Sequence, residues 1–134
     1  MMTEDFSKKF IFNEKIDGDY LFSLYADDYP YIEEVFATTL QHYDDDLDVL
    51  KVAFGAGSVS DMKKAVHKLK PVFGFVGLTS IQEEVKKFED LCQKVQTVDE
   101  LKVDYKQIVA ILGESKDLIT SEYQKLKAFN ANPL

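Results

Sequence analysis

Residues 67–78 read HKLKPVFGFVGL, and the fold turns on whether this stretch continues a helix or breaks one. It holds a proline and two glycines, which cost about 3 and about 1 kcal/mol apiece in a helix interior relative to alanine. Beside them stands His67, one of two histidines in the chain. Upstream, Ser58 or Ser60 can open a helix, after which Met62, Val66, Leu69, Phe73 and Val76 recur at alternating spacings of four and three. Such an alternation collects apolar side chains on one side of a helix, so the stretch is expected to be helical with a buried seam. A second stripe holds Lys63, His67, Lys70, Gly74 and Gly77 at the same spacings. It lies about 100° around the helix from the seam, and His67 points roughly 140° from the seam's centre, toward water.

The flanking segments carry the same period. Residues 27–43, DDYPYIEEVFATTLQHY, offer Asp27 or Asp28 as a cap, Pro30 in the first turn and Glu33 and Glu34 near the positive end of the helix dipole. Ile32, Val35, Phe36, Leu40 and Tyr43 give that helix an apolar face, which continues through Leu47, Leu50, Val52 and Phe54 until GAGS stops it. Thr79 or Ser80 is expected to cap a fourth segment, with Glu83 completing a capping box and Ile81, Val85, Phe88, Leu91, Cys92 and Val95 on one face. A last helix starts near Asp99 and carries Leu101, Tyr105, Ile108, Leu112, Ile119, Tyr123 and Leu126, with Gly113 and Ser115 as a place where it could loosen. A short helix from Asp19 to Tyr25 and an arm holding Phe6, Phe10, Ile11 and Phe12 precede them, the aromatics covering one end of the core. Strand alternation and hairpin turns are missing. The expected fold is all-α: an up-down-up-down four-helix bundle capped by the N-terminal pieces, one domain over residues 1–134 with an arm at 1–18 and the bundle at 19–129.

Composition narrows the function. With 46 % hydrophobic and 30 % charged residues the chain is globular, and its net charge of -8 repels nucleic acid and anionic membranes. One cysteine, Cys92, excludes an internal disulfide, and the first ten residues lack the apolar run of a signal peptide, so the reading is cytoplasmic. No apolar run approaches the roughly 18 residues that span a bilayer.

The stripe around His67 is unusual on such an acidic chain. Gly74 and Gly77 remove side chains from an exposed face that has no structural use for them, as if a surface were kept bare. Lys70, one turn from His67, can set its ammonium beside an anion on the imidazole, and Lys63, Lys64 and Lys68 add positive charge. The plain alternative is an inert surface histidine among solvated lysines.

His67, Lys70 and Gly77-Leu78 together resemble the signature of histidine-containing phosphotransfer domains: a histidine, a lysine three residues later and a glycine ten residues later, on an exposed helix of a four-helix bundle. In helix order the resemblance extends from Asp19 to Phe129. It implies that His67 accepts and donates a phosphoryl group, that Lys70 steadies it and that Gly77 makes room. It also implies a monomer whose partners are response-regulator receiver domains and a hybrid sensor histidine kinase. No cofactor is expected on the chain itself, Mg²⁺ belonging to the receiver. The family commonly has glycine after the lysine, and here Pro71 stands there. Lacking an amide, Pro71 cannot bond the His67 carbonyl, so either a local bend results or the bundle compensates.

A neutral imidazole, whose reference pKa is near 6.5, has a nitrogen lone pair to attack phosphorus. Phosphoryl transfer needs positioning and charge stabilisation besides, and no nucleotide loop such as GxxxxGK[ST] or GxGxxG is present, so the chain reads as a carrier and not as an enzyme with its own ATP site. Phe75 falls opposite the seam, either as a partner contact with Gly74 and Gly77 or packed on another helix near Pro71. Lys64 and Lys68 are either solvated charges or a steering patch for an acidic receiver. No metal site is expected: neither histidine sits in a Glu-x-x-His pair, and HYDDDLD at residues 42–48 lacks the calcium-loop pattern. His42 reads as structural and Cys92 as buried and inert. The competing function is a bundle of the same fold that binds receivers or other signalling proteins without accepting phosphate.

Overall fold

Three short polar side chains fix where helices begin. Asp17 accepts from the Tyr20 amide at 3.0 Å, Asp28 from the Tyr31 amide and Ser58 from the Asp61 amide, both at 3.1 Å. Each satisfies an amide that a helix start leaves without an internal partner. The computed structural model describes residues 9–132 and has α1 over Gly18–Tyr25, α2 over Tyr29–Gly55, α3 over Val59–Phe75, α4 over Thr79–Cys92 and α5 over Lys102–Ala131. A 3-10 turn, Val98–Leu101, precedes α5.

Two glycines end the helices that flank the first turns. Gly57 and Gly77 have φ of 72° and 74°, a left-handed conformation that a side chain disfavours. After α2, the Ser58 amide reaches the Ala53 carbonyl and the Gly57 amide that of Phe54. After α3, the Leu78 amide reaches Phe73 at 2.8 Å and the Gly77 amide reaches Gly74 at 3.1 Å. Both are Schellman closures, and each reverses the chain in a few residues. Short reversals make consecutive helices antiparallel neighbours: α3 packs between α2 and α4, and α5 closes the ring against both. The core inside that ring includes Phe36, Tyr43 and Leu50 from α2, the whole Met62-Val66-Leu69-Phe73-Val76 seam, Val85 and Phe88 from α4, and Leu112 and Ile119 from α5. The Tyr43 hydroxyl donates to the Leu112 carbonyl at 2.7 Å, and burial raises the phenol's pKa.

The cap covers two places. Phe10 packs edge-on against Phe129 and Phe12 stacks near Phe36, while Ile11 is exposed; Phe6 lies outside the described residues. Arm and α5 are joined where the Asn13 amide donates to the fully buried Glu122 carboxylate at 2.7 Å. α1 sits over the end of α3, with the Asp17 amide on the Gly77 carbonyl at 2.8 Å and the Tyr25 hydroxyl on the Phe75 carbonyl at 2.9 Å.

Several local expectations are corrected. The Ser80-Glu83 capping box does not form, because α4 is entered straight from the Gly77 reversal with Leu78 as its cap residue and no capping side chain. Asp99 lies in the 3-10 turn, where Glu100 accepts from the Gln96 and Thr97 amides, and α5 starts at Lys102. α5 is continuous through Gly113 and Ser115. Pro71 lies inside α3 and does not end it. Val52 is exposed, outside the buried face of α2. No helix among the described residues is long and apolar enough to cross a membrane.

Candidate functional site

α3 contributes His67 and Lys70 one turn apart, and α4 contributes a carboxylate between them. The His67 side chain is 70 % exposed and Lys70 27 %, whereas Glu89 beneath them is 7 % exposed. Glu89 Oε2 lies 2.5 Å from His67 Nδ1, and Oε1 accepts from Lys70 Nζ at 2.7 Å. Burial pushes the Glu89 carboxyl upward, but hydrogen bonds from Lys70 and His67, together with their charges, outweigh it and hold the pKa below the ordinary carboxylate value. At neutral pH Glu89 is therefore an anion that can only accept, so Nδ1 must carry the hydrogen it shares with Oε2. In a neutral ring the lone pair is then on Nε2.

Folded-state stability follows the same linkage. A carboxylate whose folded pKa is depressed contributes stability that is present above its unfolded pKa and lost as pH falls through the folded value. The Glu89 contribution is thus in place at neutral pH and disappears under acid.

Sequence reasoning missed Glu89 although a signal existed. Val85, Glu89 and Cys92 share one stripe at spacings of four and three, so a charged residue was standing in the apolar face of α4. Cys92, below it, is buried as expected, and burial, followed by the Glu89 charge, pushes its thiol up to about 11. Iodoacetamide at pH 8 is accordingly expected to alkylate native protein about 100-fold more slowly than denatured chain, because the thiolate is the reactive form. Equal rates, read by intact mass, would contradict the buried placement.

The two glycines of the stripe need correction. Neither leaves a bare surface beside His67, because Gln82 of α4 covers Gly74 while Ile16 and Leu21 cover Gly77. Gly74 is buried, and a Cβ there would meet the Gln82 amide nitrogen at 3.0 Å, the same amide that donates to the Lys70 carbonyl at 3.2 Å. Gly77 lies beyond the end of α3, also buried, where a Cβ would stand 2.8 Å from Leu21 Cγ and 2.9 Å from Ile16 Cγ2. Because α3 stops at Phe75, helical spacing does not place Gly77 on the face of His67.

Of the other candidates, Lys63 and Lys64 are exposed, and Lys68 pairs with Asp46 of α2 at 3.2 Å. His42 is exposed on α2, not a core residue. Phe75 is 51 % exposed and stands between two open grooves. One, of about 720 Å³, runs between α1, α2 and α3 past Leu24, Tyr31 and Pro71; the other, of about 370 Å³, runs along α2 and α3 past His42 and Lys68. No group of three or more potential metal ligands occurs among the described residues.

Comparison with known proteins adds the following. The family model described as the Hpt domain matches residues 34–128, which takes in His67, Lys70 and Glu89. Among solved structures, the HPT domain of a sensor hybrid histidine kinase from Shewanella is similar in fold, with a TM-score of 0.71 over 83 % of this chain and 95 % of that one, at 14 % sequence identity. No curated protein matches.

Proposed function

The chain belongs to the Hpt domain family, whose members carry phosphoryl groups on histidine in signalling phosphorelays without an ATP site of their own, and from that membership we propose that His67 is the phosphoacceptor and Nε2 the atom that bonds phosphorus. The observation that carries this reading is the buried Glu89 carboxylate on Nδ1, which leaves the other ring nitrogen as the nucleophile on an exposed side chain. Lys70 has three donors; one can stay on Glu89 while another meets a phosphoryl oxygen.

The donor in this reading is a receiver-domain aspartyl phosphate, in the cytoplasm. Nε2 attacks in line, the aspartate carboxylate departs with the bonding electrons, and Mg²⁺ on the receiver screens the charge. A second receiver aspartate later takes the group from Nε2. The direct test is to mix purified chain with a receiver domain carrying labelled aspartyl phosphate. Label should move to this chain in an acid-labile form. Binding without transfer would favour the non-phosphorylated interaction module.

Phe75 and the groove beside it are the proposed contact surface, joined to the acceptor through Pro71, Gln82 and Lys70; Lys63, Lys64 and Lys68 form its charged rim. Gly74 and Gly77 serve by close packing instead. Phe75→Ala should weaken receiver binding about tenfold or more, as expected of an exposed aromatic anchor, while leaving the denaturation midpoint and chemical phosphorylation unchanged. Calorimetry showing equal affinity for both proteins would remove Phe75 from the interface.

A further inference from the structure

The larger groove beside Phe75, of about 720 Å³, has an aromatic wall and a single charge. α1 lines it with Tyr20 and Tyr25, α2 with Tyr31 and Glu34, and α3 with Phe75. Tyr25 is fixed in place: its hydroxyl donates to the Phe75 carbonyl at 2.9 Å, and its ring meets Tyr31 edge-on at 5.6 Å between centroids. Leu24, Tyr31 and Phe75 each remain about half exposed, so the wall is open to an occupant.

Among the described residues Glu34 is the only charged one lining this groove. It is exposed, and no described residue pairs with it. Its own helix offers no cation either, since the positions one turn away hold Pro30, Tyr31, Ala37 and Thr38. A wholly apolar docking segment would strip water from this carboxylate and leave it unpaired, which is costly. A basic side chain would keep it paired while setting positive charge against ring faces, the negative side of the aromatic quadrupole. Guanidinium suits the groove better than ammonium. It is planar and stacks on rings, and its fork of donors matches the two oxygens of a carboxylate.

Taking the groove as the receiver's contact surface, we propose that it is a guanidinium subsite, in which an arginine on the docking face of the receiver enters between Tyr20, Tyr31 and Phe75 and pairs with Glu34. The contact surface changes sign along its length, with exposed Lys63, Lys64 and Lys68 on the His67 side and Glu34 in the groove. A receiver therefore matches it in one orientation, its acidic site over His67 and its arginine against α1. A receiver without that arginine would cover Glu34 unpaired, so the subsite also selects among receivers.

The test begins with the ¹⁵N-labelled full chain, titrated with N-acetyl-arginine amide and, in parallel, with N-acetyl-citrulline amide, which has nearly the same shape and no charge. The arginine probe should shift the amide signals of Tyr20, Tyr31, Glu34 and Phe75 saturably in the millimolar range, and the citrulline probe about a fifth as much or less. Glu34→Gln, a change at an exposed position, should erase the difference between the probes. No saturable shift at these residues, equal shifts from both probes, or a difference that survives in Glu34→Gln would overturn the proposal. The affinity of the phosphate-donating receiver domain is then compared for wild type, Glu34→Gln and Phe75→Ala. Glu34→Gln should weaken binding about fivefold or more at low salt, and the loss should shrink at about 1 M salt. A loss confined to Phe75→Ala would overturn the guanidinium subsite and keep the groove as the contact surface. Unchanged affinity in both variants would overturn the two readings together.

Discussion

Replacing His67 with glutamine is expected to abolish phosphate uptake from phosphoramidate, with a loss of roughly a thousandfold or more, because the substitution removes the nucleophile itself. Stability should change little. The side chain is 70 % exposed, and the glutamine amide can still donate to Glu89, so the buried carboxylate keeps two partners. The second histidine supplies an internal control. His42 is also exposed, but its imidazole makes no hydrogen bond or ion pair with the described residues. Wild type should therefore take one acid-labile phosphate, His67→Gln none and His42→Gln one. Equal uptake by wild type and His67→Gln would show that any exposed imidazole suffices.

Gly77→Ala is expected to lower the free energy of unfolding by about 2–5 kcal/mol. A left-handed alanine costs about 1–2 kcal/mol. Forcing a methyl to 2.8 Å from Leu21 Cγ and 2.9 Å from Ile16 Cγ2 adds about 1–3 kcal/mol of overpacking. The same residue closes α3 and offers its carbonyl to Asp17, so the damage should centre on the seat of α1. Urea denaturation reads the loss. Phosphate uptake by the fraction that remains folded should be unchanged, since Gly77 does not face His67. A variant as stable as wild type that nevertheless refuses phosphate would restore the alternative in which this glycine makes room for the phosphoryl group.

These residues also show where sequence periodicity was a sufficient guide. Met62, Val66, Leu69, Phe73 and Val76 were legible as a seam because an unbroken helix maps spacing onto a face, and all five are buried. His67 was legible as exposed for the same reason. Gly77 was misread because a wheel has no meaning beyond the helix end, and the end is set by a left-handed residue whose need for glycine comes from Ile16 and Leu21, far away in sequence. Gly74 was misread because spacing gives an angle around α3 but not which neighbour occupies it; Gln82 does.

Glu89 illustrates the same limit at the site itself. It stands 22 residues from His67, on a helix that meets α3 only after the chain reverses at Gly77. Local spacing could mark it as a carboxylate on a buried stripe, but not name its partners. Glu122 repeats the pattern: it shares a stripe with Ser115, Ile119 and Leu126 and is buried against the Asn13 amide. An acidic residue in register with a core seam is thus the sequence mark of a carboxylate that organises donors from another element.

The most direct test of the central claim is the identity of the nitrogen that bonds phosphorus. The protein would be labelled with ¹⁵N-histidine, loaded with phosphoramidate and examined by ³¹P–¹⁵N correlation. The account predicts one coupled nitrogen, Nε2 of His67, with a hydrogen still on Nδ1. Phosphorus on Nδ1, or on any residue other than His67, would contradict it, because Nδ1 is the atom that Glu89 holds.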